Sequence, residues 1–467
     1  MTNWNSTHTL ILGAARQGVA LARWLSRHGS RVTLSDSRSL EQLASARESL
    51  ADVDVKWAVG GHPLELLDGV DLLCLSGGVP LTLPIVQEAV KRGIPLSNDT
   101  QIFLEAAPCK TIGITGSAGK TTTTSLVGEM ARLDYGLRTA GGAKTSSAVR
   151  GPRSFVGGNI GDPLINYVDE MTAGDLAILE ISSFQLEQTT ISPNVAAVLN
   201  ITPNHLDRHG TMEAYIAAKA RILDFQTDKD AAVLGCDDKG AWNLRRRVKG
   251  KLLTFSLKEL PERLDGAYCH NGLLSLREGK AYLPLLPREK IQLRGDHNVA
   301  NVLAAFAIGH AAGFKLDAML EAVEEFRGVP HRLELVRELR GARWYNDSIA
   351  TAPERSMAAI RAFSEPIVLM LGGRDKNLPW DEIAQLIRRR VKHVVAFGEA
   401  AELIQKAVGS GANLQRAASL KEAVTLAAAA ASPGDVVLLS PGCTSFDEFT
   451  DFAERGEAFR KWVQELS

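Results

Sequence analysis

The stretch Lys110-Thr-Ile-Gly-Ile-Thr-Gly-Ser-Ala-Gly-Lys-Thr-Thr-Thr-Thr-Ser125 constrains the fold more than any other. Ile112 and Ile114 read as a short buried strand. Gly116 and Gly119 then mark a tight turn, followed by Lys120 and Thr121. Leu126, Val127, Met130 and Ala131 recur at helical spacing. Strand, glycine-rich turn, Lys-Thr and helix together predict a phosphate-binding loop. Glycine lets backbone N–H groups turn inward and approach a phosphate chain. The free N–H groups of the helix start add partial positive charge. Lys120 would neutralise the outer phosphates, and the Thr121 hydroxyl would help hold Mg²⁺. The spacing is a variant of G-x-x-x-x-G-K-[ST]: Ile114 stands at the first glycine position, flanked by Gly113 and Gly116.

A loop of this kind needs a sheet around it, and the chain is long enough to build several. Its 467 residues predict about three domains at roughly 150 residues each. Five scattered cysteines form no C-x-x-C pair, so neither a disulfide framework nor a zinc site is expected, and a reducing compartment fits. A net charge of −1 gives no footprint for nucleic acid. No apolar run approaches a membrane span, and the polar start lacks the pattern of a secretory leader. The expectation is a cytoplasmic, monomeric α/β protein.

The first unit, residues 1–108, opens with strand Thr9-Leu-Ile-Leu12, the turn Gly13-Ala-Ala-Arg-Gln-Gly18 and a helix. Strand Arg31-Val-Thr-Leu-Ser35 follows and ends at Asp36-Ser37-Arg38. This is a βαβ unit of the Rossmann kind, with Ala15 where a full dinucleotide fingerprint has glycine. The turn suits a nucleotide diphosphate, and a purely structural turn is the alternative. Asp71-Leu-Leu-Cys-Leu75 is a further strand, ending at Ser76-Gly77-Gly78. The second unit, 109–327, begins with the phosphate loop. Strand Asp175–Ser182 carries Glu180 near its end, and strand Val195–Ile201 runs into Asn204-His205. In a parallel sheet both ends should lie beside the phosphate loop, where Glu180 and His205 would converge on the nucleotide's metal. Lys219 lies on a helix from Thr211 to about Phe225, and pattern alone reads it as solvated. The third unit, 328–467, alternates strands such as Pro366–Leu371, Val394–Phe397 and Val436–Ser440 with helical segments. A doubly wound parallel sheet is predicted, closed by a helix opening between Phe446 and Phe452.

Taken together, the ordered motifs resemble the Mur ligases of peptidoglycan synthesis over essentially the whole length. They are Thr115–Thr122, Gly157-Gly-Asn-Ile-Gly161, Leu179–Glu187, Asn204–Arg208, Ala217-Ala-Lys219, Asp296-His-Asn298, Pro330-His-Arg332, Asn346-Asp-Ser348 and Ser440–Phe446. The resemblance implies three α/β domains holding a UDP-sugar, ATP and an amino acid in turn. It implies that ATP phosphorylates a substrate carboxylate, and that an amine attacks the acyl phosphate to give a tetrahedral intermediate and then an amide. The substrates it implies are UDP-N-acetylmuramoyl-L-alanine and glutamate. It places Gly116, Ser117, Ala118, Gly119, Lys120, Thr121 and Thr122 on the phosphates of ATP, with Asn298 on adenine, Arg332 on phosphate and Asp347 on ribose. Two Mg²⁺ ions would be held by Thr121, Glu180, His205 and Lys219, the last carbamylated, which overrides the solvated reading. His331 would orient the reacting groups. Arg16, Gln17, Asp36, Ser37, Arg38, Ser76, Gly78 and Asn159 match the UDP-substrate site. Thr351, Lys376, Ser445 and Phe452 match the glutamate site.

Three departures stand out. Ile349 replaces a lysine frequent in the family, Gly77 stands at a usual proline, and the 139–155 loop is longer by roughly a dozen residues. L-glutamate as the added amino acid, a folylpolyglutamate-synthase-like enzyme, a P-loop ATPase or kinase switch and an NAD-dependent oxidoreductase are the alternatives. Ala15 weighs against the last.

Overall fold

The computed structural model of this chain describes residues 4–140 and 151–467. The predicted long loop falls mostly on residues 141–150, outside the described residues.

Short apolar runs become parallel strands, as expected where both faces of a sheet are covered. The first sheet contains β1 (His8–Leu12), β2 (Arg31–Asp36), β3 (Val55–Val59), β4 (Leu72–Leu75) and β5 (Leu96–Ser97). Its order is β3-β2-β1-β4-β5, all parallel. The second contains β6 (Lys110–Thr115), β7 (Ser154–Gly158), β8 (Leu176–Glu180), β9 (Val195–Val198), β10 (Ala231–Gly235), β11 (Lys251–Ser256), β12 (Gly266–His270), β13 (Leu273–Glu278) and β14 (Ala281–Pro287). Its order is β14-β13-β12-β11-β10-β9-β6-β8-β7. Pairing is parallel from β7 to β12 and antiparallel through β13 and β14. The third contains β15 (Glu334–Leu339), β16 (Ala342–Asn346), β17 (Ile367–Gly372), β18 (Val391–Phe397), β19 (Leu414–Ala417) and β20 (Val436–Gly442), in the order β15-β16-β20-β17-β18-β19. Only β15 runs antiparallel there. The expected class, α/β with parallel-dominated sheets in three domains, is what the chain adopts.

Two compact units result, Met1–Ile291 with Asp296–Glu325, and Gln292–Gly295 with Phe326–Ser467. Gln292–Gly295 belongs to the second unit because Arg294 donates to Glu365 at 2.5 Å and lies over the rings of Tyr345 and Phe363. Within the first unit, β6 lies between β8 and β9. Ile112 and Ile114 are wholly buried there, worth about 1.5–3 kcal/mol each in transfer free energy. Helix Asp296–Ala312 is apolar nearly all round and is correspondingly buried, packing on helix Lys120–Ala140. The closing helix of the second unit runs Phe452–Glu465, a later start than the sequence suggested. Asp451 caps it by accepting from the Glu454 N–H, leaving 446–451 as turns.

Candidate active site

The phosphate loop is shaped by its neighbours as much as by its own glycines. Gly119 has φ +84°, and a Cβ there would meet Asn301 Oδ1 at 2.2 Å, so only glycine fits. Asn200, which follows β9, braces the loop on both sides. Its Oδ1 accepts from Ala118 N–H at 2.8 Å, its Nδ2 donates to Ala118 O at 3.0 Å, and its carbonyl accepts from Ser117 N–H. Asn200 was not singled out by sequence reasoning; a polar residue closing an apolar strand beside the loop was the signal. Ser117 Oγ is held by Thr202 O and Tyr215 OH. Lys120 Nζ donates to Gly116 O at 2.9 Å, so its ammonium lies over the loop. Thr122 is buried on the helix behind it. Asn298 accepts from Asn301, which ties it to the helix packed against Gly119.

Adjacent strands deliver the acid. Thr121 Oγ1 donates to Glu180 Oε2 at 2.8 Å, and Asn159 Nδ2 donates to Glu180 Oε1 at 2.9 Å. A carboxylate has about four acceptor positions, so roughly two of Glu180's remain for another partner. Lys219 is 1% exposed, which overturns the pattern-based solvated reading. Its helix starts at Met212 with Thr211 as cap, and this phase turns residue 219 inward. Lys219 Nζ donates to Gly116 O at 3.0 Å and sits 4.7 Å from the Tyr215 ring centroid. Burial, reinforced by the nearby Lys120 charge, brings its ammonium down to about 7, with Glu180 opposing. His205 adopts a left-handed backbone, φ 53°, at the start of helix Leu206–His209, with its ring edge-on to Phe184. Among the described residues no three His, Cys, Asp or Glu side chains cluster as a metal site. The expected ligand set contains only two of those types.

Arg208, which closes the Asn204–Arg208 motif but has no role assigned from sequence, and His209, which sequence reasoning passed over, hold His205's helix. Arg208 donates to Gly77 O and Val79 O, joining the loop after β4, and lies over Phe184. His209 bonds Ser183 Oγ at 2.9 Å and pairs with Glu187 at 3.0 Å. Burial pushes the Glu187 carboxyl up, and Arg208 opposes it.

In the first sheet, β2, β1 and β4 are adjacent, so their carboxyl ends bring three predicted groups side by side. Arg16 and Gln17 open helix Arg16–Arg27, Ser37 and Arg38 follow β2, and Ser76 and Gly78 follow β4. A Cβ on Gly18 would strike Gly13 O at 1.9 Å, which accounts for that glycine. Asp36 accepts from Arg38 Nε, Nη2 and N–H and from Ala14 N–H, at 2.8–3.0 Å. These bonds, Arg38's first, hold its carboxyl well below the usual range. All of its acceptor positions are thereby used. Asp36 orients Arg38 and has nothing left for a ribose diol, an observation against a dinucleotide of the NAD kind. Ser76 Oγ donates to Gly13 O, fixing the two turns together.

The second unit carries the remaining candidates. Asp347 is buried, accepting from Ser440 Oγ at 2.8 Å and Leu333 N–H at 3.2 Å. Burial pushes its carboxyl up to about 7, against those bonds and the charges of Arg332 and Arg355. His331 is held by Asn346 at 3.0 Å, with φ 64°, and burial pushes its imidazole below the ordinary value. Lys376 Nζ donates to Thr351 Oγ1 at 3.3 Å. Phe452 O accepts from Ser348 Oγ at 2.7 Å, and Ser445 follows the Thr444–Arg374 bridge.

Three family models match successive parts of the chain. Residues 7–98 match the Mur ligase MurD-like N-terminal domain, 114–309 the Mur ligase middle domain, and 331–443 the Mur ligase glutamate ligase domain. A UDP-N-acetylmuramoylalanine–D-glutamate ligase of Symbiobacterium thermophilum is 41% identical over 98% of both chains. The enzyme of that name from Acidobacterium capsulatum is 42% identical over 97% of this chain and 95% of its own. Among solved structures, a UDP-N-acetylmuramate–alanine ligase of Thermotoga maritima shares the fold, with TM-score 0.56 at 20% identity over 98% of this chain and 99% of that one.

Proposed function

The chain belongs to the Mur ligase family, and we propose that within it this protein joins D-glutamate to UDP-N-acetylmuramoyl-L-alanine, using ATP and releasing ADP and phosphate. The observation that carries the reading is the 41% identity, over 98% of both chains, with an enzyme named for that reaction.

The residues supply what the chemistry requires. A carboxylate attacking a phosphate meets like-charge repulsion, so positive charge must lie between them. Lys120 provides one such charge on the phosphate loop. Two Mg²⁺ ions, when bound, would screen the rest and polarise the phosphoryl oxygens. Glu180 fits a metal because Thr121 and Asn159 orient it without exhausting its oxygens. Lys219 fits carbamylation because burial brings its amine down to about 7, so that a substantial share is neutral and nucleophilic near neutral pH. Its lone pair bonds to the carbon of CO₂, a proton leaves, and the product is an anion beside Lys120. The Lys120 charge that repels an ammonium would attract that anion. His205 would complete the ligand set, and Asn298, Arg332 and Asp347 would hold the nucleoside side of ATP. The 1–108 segment would hold UDP through Arg16, Gln17, Ser37, Ser76, Gly78 and the Asp36-oriented Arg38. The 109–327 segment would hold ATP, with Asn159 toward the muramoyl-alanine. The 328–467 segment would hold glutamate through Thr351, Lys376, Ser445 and Phe452, with His331 orienting the reacting groups.

The test is phosphate release from ATP with UDP-N-acetylmuramoyl-L-alanine, with D- and L-glutamate supplied separately. Release with D-glutamate alone is expected. A preference for L-glutamate would keep the mechanism and assign Ile349 to a different stereochemistry. Release with neither would overturn the substrate assignment.

A further inference from the structure

Helix Phe452–Glu465 turns Arg455, Gly456, Phe459 and Val463 inward. Three of these suit a core. Arg455 does not: it is 0% exposed, a guanidinium where an aliphatic side chain is expected. Its five N–H donors are all used. Nε donates to Ser348 Oγ at 3.0 Å and Nη2 to Ser348 O at 2.8 Å. Nη1 donates to Thr444 O at 3.0 Å, and Nη1 and Nη2 both reach Cys443 O at 3.2 Å. Every acceptor is neutral. No carboxylate of the described residues lies within 4.0 Å, and Asp447 and Glu448 act on it only from farther away. A buried cation without a paired anion is costly, and a core could have used leucine instead.

The carbonyls that face this cation belong to the loops carrying the proposed glutamate site. Ser348 precedes Thr351 by one turn of chain and donates to Phe452 O. Thr444 precedes Ser445. Gly373 must be glycine for its loop to lie here, since a Cβ would meet Thr444 O at 2.0 Å and Arg455 Nη1 at 3.0 Å. All described peptide bonds are trans. The Thr444–Ser445 peptide therefore directs its carbonyl at the guanidinium and its N–H the opposite way. That Ser445 N–H has no acceptor among the described residues. A charge at the oxygen end of a peptide dipole makes the far N–H a stronger anion donor.

We propose that Arg455 is a positioning residue for the amino-acid substrate: its buried, unpaired charge fixes the 348, 373 and 444 loops and, through the Thr444–Ser445 peptide, makes the Ser445 N–H and hydroxyl a seat for a glutamate carboxylate. This rests on the glutamate-ligase reading and adds the source of positive potential that selects a dianionic amino acid. Lys376 supplies a second cation nearby on the 373–376 loop.

The full-length enzyme is assayed as wild type, Arg455→Lys and Arg455→Gln, with KM measured for D-glutamate, ATP and the sugar nucleotide. Arg455→Gln should raise KM for D-glutamate by about tenfold or more while the other two KM values stay within about twofold. Arg455→Lys, which keeps the charge, should recover most of the loss. Equal impairment of the two variants, or a fall in kcat with all three KM values unchanged, overturns the proposal. If Arg455→Gln lacks a cooperative thermal transition, Arg455→Lys decides alone: KM for D-glutamate within about threefold of wild type upholds it, and a rise of about tenfold overturns it. Titration with glutarate, the same dicarboxylate without an amine, separates the two readings. A wild type that binds glutarate but turns over no D-glutamate sinks the substrate assignment, and Arg455 is then judged on glutarate affinity. A wild type that turns over D-glutamate, with KM unchanged in Arg455→Gln, sinks the Arg455 proposal alone.

Discussion

Asp347 couples the stability of the second unit to pH in a direction opposite to most carboxylates. Its unfolded value lies near 3.8, and burial raises it to about 7 in the folded protein. Between these values the folded protein keeps a proton that the unfolded chain has released. The unfolded state then binds fewer protons, so stability falls as pH rises. The contribution is fully present below about pH 3.8 and is lost by the time pH has passed about 7. Integrating the linkage for these two values, the wild-type chain loses about 2.5 kcal/mol between pH 5 and pH 8 on account of this group. Asp347→Asn cannot titrate and should not show that loss. The amide replaces a group that accepts from both Ser440 Oγ and Leu333 N–H. It has one acceptor oxygen for two donors, which costs about 1 kcal/mol at every pH. That offset leaves the slope untouched. Urea denaturation of both proteins at pH 5, 6, 7 and 8 measures it. The difference in unfolding free energy should move in favour of Asp347→Asn by about 2.5 kcal/mol across the series, most steeply below pH 7. Parallel curves, with a constant difference at every pH, would refute the argument that burial keeps this carboxyl protonated.

Three further outcomes are expected. Lys120→Ala should abolish phosphate release while leaving the affinity for UDP-N-acetylmuramoyl-L-alanine nearly unchanged by calorimetry, because the proposed UDP contacts Arg16, Arg38 and Ser76 follow the strands of a different sheet. Lys219→Ala should lose activity and regain part of it with formate or acetate, small carboxylates that replace the carbamate; a folded variant without rescue counts against the modification. Gly119→Ala should destabilise the protein by about 1–2 kcal/mol from its positive φ alone, and by more from the contact with Asn301, read as a lowered thermal midpoint.

What the sequence made legible was local. Ile112, Ile114, the glycines and Lys120 announce strand, turn and helix within one short window, and β6 runs where they indicate. Glu180 was placed at a strand end, and the β8-β6-β9 order carries it to Thr121. Lys219 was hidden because helical periodicity does not say which face meets a neighbour, and only the family resemblance recovered it. β10 and β11 and the antiparallel β12–β14 were not picked out. The apolar residues of 231–235 and 251–256 lie among Lys, Arg and Asp, and the 266–287 hairpins carry short turns at Asn271-Gly272 and Gly279-Lys280 without a neighbouring motif. The burial of Arg455 depends on loops distant in sequence, and no spacing rule reaches it. Arg38 stands only two residues from Asp36, but the sequence does not say that the pair closes on itself rather than on a ligand.

Strand order in the third sheet has a consequence for biosynthesis. β20 is the last strand in the chain, yet it lies between β16 and β17 and pairs with both. A nascent chain that has emerged only to residue 435 therefore holds two unjoined pieces, β15-β16 and β17-β18-β19. Each exposes an apolar strand edge that waits for Val436-Val-Leu-Leu439, all wholly buried in the finished sheet. Open edges of this kind are where chains pair wrongly. Ribosome stalling or a premature stop between about residues 370 and 435 should thus yield aggregates and chaperone-bound fragments rather than a shortened but folded unit.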